Sequence, residues 1–352
     1  LRNLHVTERG RRLNIRNQAF VVEEPRSLGA GATPDGTEEW FELLAIPHQK
    51  LDRIDLHPGV DYTPQALEHA LATDTVVAFV DGFGATKGFL AASLGERAGR
   101  HLAQAAVALD TGRRLDFARA IVEGRLRNQR SLLRKLLREI DSPPPDATHA
   151  IAEITHIIGR GDTSRIRHAP SIAATMGYEG AASAAYWKAI GRLCDPSFAF
   201  QTRARRQREH RAGIALDFLA WLLHRDARVA VTRSGLHPGI GALHTSSDNQ
   251  DACVYDLMEE FRATMVEGLF VYLTNRRILR ADMFVQEGDA LALRQEGQHA
   301  LIRAYESRMN MLTAAHDGRR RVAFRRLLVE QAFAYAKACE TGVAYQPHVA
   351  KH

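Results

Sequence analysis

The sequence predicts an α+β protein, with a small β-rich N-terminal domain over residues 1–95 and a larger all-helical catalytic domain over residues 96–352. Three observations carry this reading. Up to about residue 92, short apolar runs alternate with Gly/Pro turns. From about Leu102 onward apolar residues recur at helical spacing, and β-branched runs become rare. At 352 residues the chain is long enough to build two cores.

The first elements follow from local chemistry. HVTERGRRLNIRNQAFVVEE alternates apolar and polar residues around Arg9-Gly10, which predicts an antiparallel hairpin. Residues 26–37 are expected to form a polar Gly/Pro loop. WFELLAIP and LDRIDLHPG are expected strands, punctuated by Pro47 and Pro58. Thr63 is an N-cap and Pro64 a first helical residue, opening the short helix TPQALEHAL. TVVAFVDGFG predicts a buried strand running into a glycine turn, and KGFLAAS a last strand.

In the second domain, LDFARAIVEGRLRNQRSLLRKLLREI predicts one long amphipathic helix, with Leu126, Leu133 and Leu137 toward the core and arginines on the other side. The DSPPPD segment breaks it. Further helices are expected at about 147–158, 164–194, 211–233, 251–275, 297–316 and 320–340. The chain carries no tandem repeat.

Composition narrows the function. No apolar run approaches the roughly 20 residues that span a bilayer, and the basic N-terminus lacks the apolar stretch of a secretory signal. Cys194, Cys253 and Cys339 are isolated, which argues against a disulfide framework, a zinc ribbon or an iron–sulfur cluster. The expected compartment is a reducing cytoplasm. The net charge is +6, and arginine is clustered at 125–138, 203–211, 276–280 and 319–326. A guanidinium pairs bidentately with phosphate oxygens. One such cluster fits a solvated helix face equally well, but four together point to nucleic acid.

The chemistry centres on GLHPGIGALHTSSDNQDACVYDLMEEFR, residues 235–262. A Gly/Pro-punctuated turn delivers His244, and the helix that follows carries Asp256 and Glu259 on one face. Upstream, Glu179 stands among small residues in YEGAASAAYW with no obvious cation beside it. Each residue has a plain structural alternative. Glu179 could cap a helix or face solvent, Asp256 and Glu259 could complement a helix dipole, and His244 could be a satisfied structural histidine. Taken together, carboxylates with one imidazole suit Mg²⁺ or Mn²⁺. Zinc fits less well, because neither sulfur nor a second imidazole is in place. His237, inside the turn, is a weaker ligand candidate.

These residues resemble the CRISPR-associated adaptation integrase family. The resemblance runs from the N-terminal strands through ARAIVEGRLRNQRSLL, YEGAASAAYW, GLHPGIGALH, YDLMEEFR and LALRQEGQHALIRAYE to AYQPHV. It implies a metal triad of Glu179, His244 and Glu259, with Asp256 as accessory acid. It also implies that Arg262 faces DNA, while the arginine cluster at 203–211 adds Arg203, Arg205 and Arg206 as DNA-binding candidates on charge alone. The implied activity is insertion of short double-stranded prespacers at the repeat and leader of a CRISPR array, by attack of a 3′-hydroxyl on a phosphodiester. The implied partners are a second copy of the chain, formed through the N-terminal domain, a dimer of a small ferredoxin-fold protein, and a fused or separate iron–sulfur exonuclease. Leu1 in place of Met fits either a segment of a longer polypeptide or an omitted leader. One segment departs from the family pattern. RARRQREHRAGIALDFLAWLL lacks the proline-rich R-x-P-P-x-D-x-x-N run, and Trp221 stands where tyrosine is usual. A metal-dependent DNA repair nuclease and a non-catalytic DNA scaffold are the alternative functions for the same residues.

Overall fold

The computed structural model describes residues 2–25, 40–92, 97–202, 210–248, 250–288, 290–315 and 319–350. The chain divides into two compact units, Leu1–Ser93 and Leu94–His352.

The first unit comprises β1 (Asn3–Val6), β2 (Arg12–Arg16), β3 (Ala19–Pro25), β4 (Trp40–Pro47), β5 (Arg53–Leu56), β6 (Asp61–Tyr62), helix α1 (Pro64–Ala72), β7 (Val76–Val80) and β8 (Thr86–Leu90). The strands form two four-stranded sheets, ordered β1-β5-β7-β8 and β4-β3-β2-β6. Thr63 caps α1 as expected, accepting from the Ala66 N–H at 3.2 Å. Leu13, Phe20, Ile54, Ala66, Ala70 and Val77 are fully buried and make its core.

The expected hairpin around Arg9-Gly10 is not formed. The antiparallel partner of β2 is β3, and β1 runs parallel to β5 in the other sheet. The reason lies in the turn residues. Asn17 and Gln18 adopt φ of 48° and 60°, the left-handed pair that a tight hairpin requires. Gly10 instead donates to the Gly59 carbonyl at 2.8 Å, and the chain passes from one sheet to the other there.

The second unit is mostly helical: α2 (Ala98–Leu109), α3 (Thr111–Leu137), α4 (Pro145–Ile158), α5 (Ile172–Leu193), α6 (Arg211–Arg233), α7 (Ala252–Glu259), α8 (Gly268–Asn275), then β9 (Phe284–Glu287), β10 (Ala290–Leu293), α9 (Gln295–Asn310), β11 (Leu312–Ala314), β12 (Arg321–Ala323) and α10 (Phe324–Thr341). It is therefore not all-helical, because β9–β10 and β11–β12 pair as small antiparallel sheets. The helices expected at 297–316 and 320–340 lose their facing ends to the second of these. Met311 leaves α9 in an extended conformation, and pairing Leu312–Ala314 with Arg321–Ala323 satisfies backbone groups there.

Two further boundaries differ from expectation. The helix containing Glu179 starts only at Ile172, because Pro170 precedes it and Ser171 caps it, accepting from Ala174 N–H at 3.1 Å. The helix expected over 251–275 is interrupted after Glu259, where Ala263–Glu267 widen into a π-helical turn, a deformation that recurs at functional sites. Among the described residues no helix is long and apolar enough to cross a membrane. Cys194, Cys253 and Cys339 are free and buried.

Candidate metal centre

The turn ahead of α7 is built by three side chains. Gln104 on α2 reads the turn from both sides: its amide donates to the carbonyls of His237 at 3.0 Å and Ile240 at 2.7 Å, and its oxygen accepts from His237 N–H at 2.8 Å. Arg114 on α3 donates to the Ala242 carbonyl at 2.8 Å. Asp256 on α7 is fully buried. Its carboxylate accepts from the backbone N–H groups of Ala242 (2.6 Å), Leu243 (3.0 Å) and His244 (2.9 Å). It also accepts from the His244 ring, Nδ1 to Oδ1 2.8 Å. A carboxylate so supplied fixes both the turn and the imidazole tautomer, and it leaves Nε2 of His244 with its lone pair.

Gly241 is required inside this turn. A Cβ there would stand 2.9 Å from the Ala252 Cβ and 2.9 Å from the His244 carbonyl oxygen. Gly241→Ala is expected to cost about 1–3 kcal/mol of stability, read by urea denaturation. An unchanged midpoint would show that the turn gives way freely.

Glu179 sits in the third turn of α5, not at its cap, with its side chain 24% exposed. Glu259 ends α7 with its side chain 9% exposed. The two glutamates share one cation. Arg125 on α3 pairs through Nε with Glu179 Oε1 at 3.0 Å and through Nη1 with Glu259 Oε2. Ser183, one turn beyond Glu179, donates to Glu179 Oε1 at 2.5 Å and accepts from Arg125 Nη2 at 3.3 Å. Burial pushes the Arg125 guanidinium below its ordinary value, with Glu179 acting the other way. Arg262 lies 3.8 Å from Glu259 Oε1 and 3.5 Å from the buried Glu267. Tyr186 lies among the same groups, and burial, then Glu267, pushes its phenol well above its usual range.

Of the expected triad, Glu179 and Glu259 meet at one cation, whereas His244 is held separately by the Asp256 carboxylate. The His244 ring packs against Tyr255 with centroids 5.8 Å apart, and Glu259 lies one helical turn beyond Tyr255. Among the described residues, no three His, Cys, Asp or Glu side chains yet stand close enough together to hold a metal ion. The donor set nevertheless fits a hard divalent ion. Two carboxylates and one imidazole are the donors such an ion takes, and Asp256 holds the His244 ring through Nδ1, which leaves Nε2 as the ligand nitrogen. Arg203, Arg205 and Arg206 lie outside the described residues.

Several residues of the site were not apparent in the sequence. Arg125 belongs to an arginine cluster expected to face outward, yet it is buried. It lies on the same helical stripe as Ala118, Ile121, Val122, Gln129 and Leu132, all buried, and that 3-4 spacing is the signal that would have found it. Arg325, in the last arginine cluster, is likewise buried, against Asp226 and Glu306.

Behind Glu259 the chain end is tied in. Glu260 is buried and accepts from Tyr345 O–H and from His348 N–H at 2.5 Å. Asn128 on α3 donates to the carbonyls of Glu260 at 2.7 Å and His348 at 2.8 Å. Burial pushes the Glu260 carboxyl up to about 8, against the hydrogen bonds from Tyr345 and His348. An unfolded glutamate titrates near about 4.3. The native state therefore holds its proton to higher pH, and stability falls as pH rises from that value through about 8. Urea denaturation at pH 5.5 and 8.5 is expected to show this loss, and Glu260→Gln to flatten it. An identical pH slope in the variant would contradict the assignment.

Comparison with known proteins places the chain. The model of the family "CRISPR associated protein Cas1" matches residues 4–307, and the chain belongs to that family. A CRISPR-associated exonuclease Cas4/endonuclease Cas1 fusion of Rhodospirillum rubrum is 28% identical over 309 residues; these are 85% of this chain, which spans only 51% of the fusion. A CRISPR-associated endonuclease Cas1 of the same organism is 29% identical, covering 83% of this chain and 86% of its own. Among solved structures, a casposase bound to integration product superposes with a TM-score of 0.81 at 15% identity, covering 99% of this chain and 93% of that one. A Cas6-RT-Cas1–Cas2 complex gives 0.78 at 17%, covering 98% of this chain and 36% of that one. At these identities the structural likeness speaks for the fold alone.

Proposed function

We propose that the chain is a divalent-metal-dependent DNA endonuclease and integrase that joins short DNA fragments into a CRISPR array. The observation that carries the reading is the convergence of Glu179 and Glu259 on one cation position, together with a His244 ring that Asp256 holds through Nδ1. Glu179, Glu259 and Nε2 of His244 would hold Mg²⁺ or Mn²⁺. Such an ion polarises a phosphoryl oxygen and stabilises the charge of an in-line displacement. The chain's own part is to orient and to shield. Asp256 keeps the imidazole in register, Ser183 steadies Glu179, and the buried Tyr186 lies beside Arg125. Joining proceeds by attack of a 3′-hydroxyl on a backbone phosphodiester, with the displaced 3′-oxygen leaving, so no covalent intermediate on the protein is needed.

The arginines that remain exposed, among them Arg134, Arg138, Arg276, Arg277, Arg319 and Arg326, would hold the duplex through its phosphates. Pairing of two copies finds support in β4. It is an edge strand of its sheet, and Phe41, Leu43 and Leu44 are exposed along it, a form that invites pairing with another chain. The named relatives support a small Cas2 partner and a Cas4 exonuclease working with this chain, which would act in the cytoplasm. A non-catalytic scaffold is the second reading, favoured by the cation already seated between the two glutamates. Incubating the protein and its small partner with labelled short duplexes and a supercoiled array plasmid separates the readings. Metal-dependent joined product supports integration, cleavage alone supports a repair nuclease, and neither supports the scaffold.

A further inference from the structure

Arg125 is the residue whose placement the proposed chemistry does not explain. A fixed positive charge beside two ligand carboxylates weakens a divalent ion's hold on them, yet Arg125 reaches both at once from α3. Arg125 is buried, and its Nη2 donates to Ser183 Oγ at 3.3 Å, so the whole guanidinium is committed to this pair of carboxylates. Without a cation, two carboxylates so placed would repel each other.

We infer that Arg125 is a built-in counter-ion that stands at the metal position of the ion-free chain and gives up Glu179 and Glu259 to an incoming divalent cation. The inference rests on the proposed metal centre and deepens it. Arg125 acts through the two glutamates, so it is a positioning residue. It keeps both carboxylates facing one point, and it sets the ion concentration at which they are taken. Binding of the ion is a competition, and the affinity of the site is lowered by the cost of displacing the guanidinium.

The test is a calorimetric titration of the intact chain with Mn²⁺ alone, paired with thermal unfolding in chelator and in Mn²⁺. Arg125→Gln is expected to melt lower than the wild type in chelator, to bind Mn²⁺ at least about tenfold tighter, and to gain more from the ion. Arg125→Lys keeps the charge, but a single ammonium does not span both carboxylates. It is expected to fall between the two, and it serves where the Gln variant does not fold. A merely structural role would move the melting temperature and leave the affinity alone. Variants that bind Mn²⁺ no tighter than the wild type overturn the inference. Glu179→Gln separates that failure from failure of the metal centre: if the wild type binds no Mn²⁺, or binds it equally well without Glu179, the centre itself is wrong and the inference falls with it.

Discussion

Glu179→Ala is expected to abolish strand transfer and to leave binding of duplex DNA nearly intact. Glu179 contributes a carboxylate to the cation position it shares with Glu259. Losing one of two such ligands removes most of the hold on a divalent ion and the transition-state stabilisation it supplies. A loss of several kcal/mol corresponds to about 10³-fold or more in joining rate. Duplex binding rests instead on cationic side chains meeting phosphates, a sum over many contacts in which one carboxylate counts little. Joining of a labelled duplex to plasmid, set beside filter or gel-shift binding, reads both quantities. A variant that joins at the wild-type rate removes Glu179 from the centre. One that loses binding and joining in proportion makes Glu179 structural.

The second large effect is expected at Asp256. Its carboxylate serves three backbone N–H groups and the His244 ring from a fully buried position. Asp256→Ala leaves those donors buried without an acceptor, and losses of about 3–5 kcal/mol follow when one side of a buried charged network is removed. Asp256→Asn preserves the shape but turns an N–H₂ group toward N–H donors, so it is expected to lose less stability. In Asp256→Ala the imidazole loses its brace, and metal affinity is expected to fall about 10–100-fold. Urea denaturation and Mn²⁺ titration measure the two effects. Wild-type stability in Asp256→Ala would mean that the turn is held by Gln104 and Arg114 alone.

Local signals were legible in the sequence where the chain answers to its own neighbours. The Thr63-Pro64 start of α1 formed as capping chemistry dictates, and α6 runs over Arg211–Arg233 as its periodicity predicts. What the sequence hid depends on distant partners. The register of β1 is set by β5, some 50 residues on, and no local pattern tells a parallel strand from the first arm of a hairpin. The break after Glu259 trades helical hydrogen bonds for a tie between Glu260 and the chain end near residue 348. The candidate site was legible as residue types: His244, Asp256, Glu259 and Glu179 could each be picked out. The division of labour was not, because Asp256 earns its role from backbone donors twelve to fourteen residues upstream. Arg125 was masked by surrounding arginines that do face solvent.

The most direct measurement is anomalous scattering from a crystal of the protein soaked in Mn²⁺. The expected result is one strong peak bonded to carboxylate oxygens of Glu179 and Glu259 and to Nε2 of His244, with the His244–Asp256 hydrogen bond kept. A peak absent from these three side chains, or an ion bound elsewhere with Arg125 still between the glutamates, would contradict the metal centre and the function built on it.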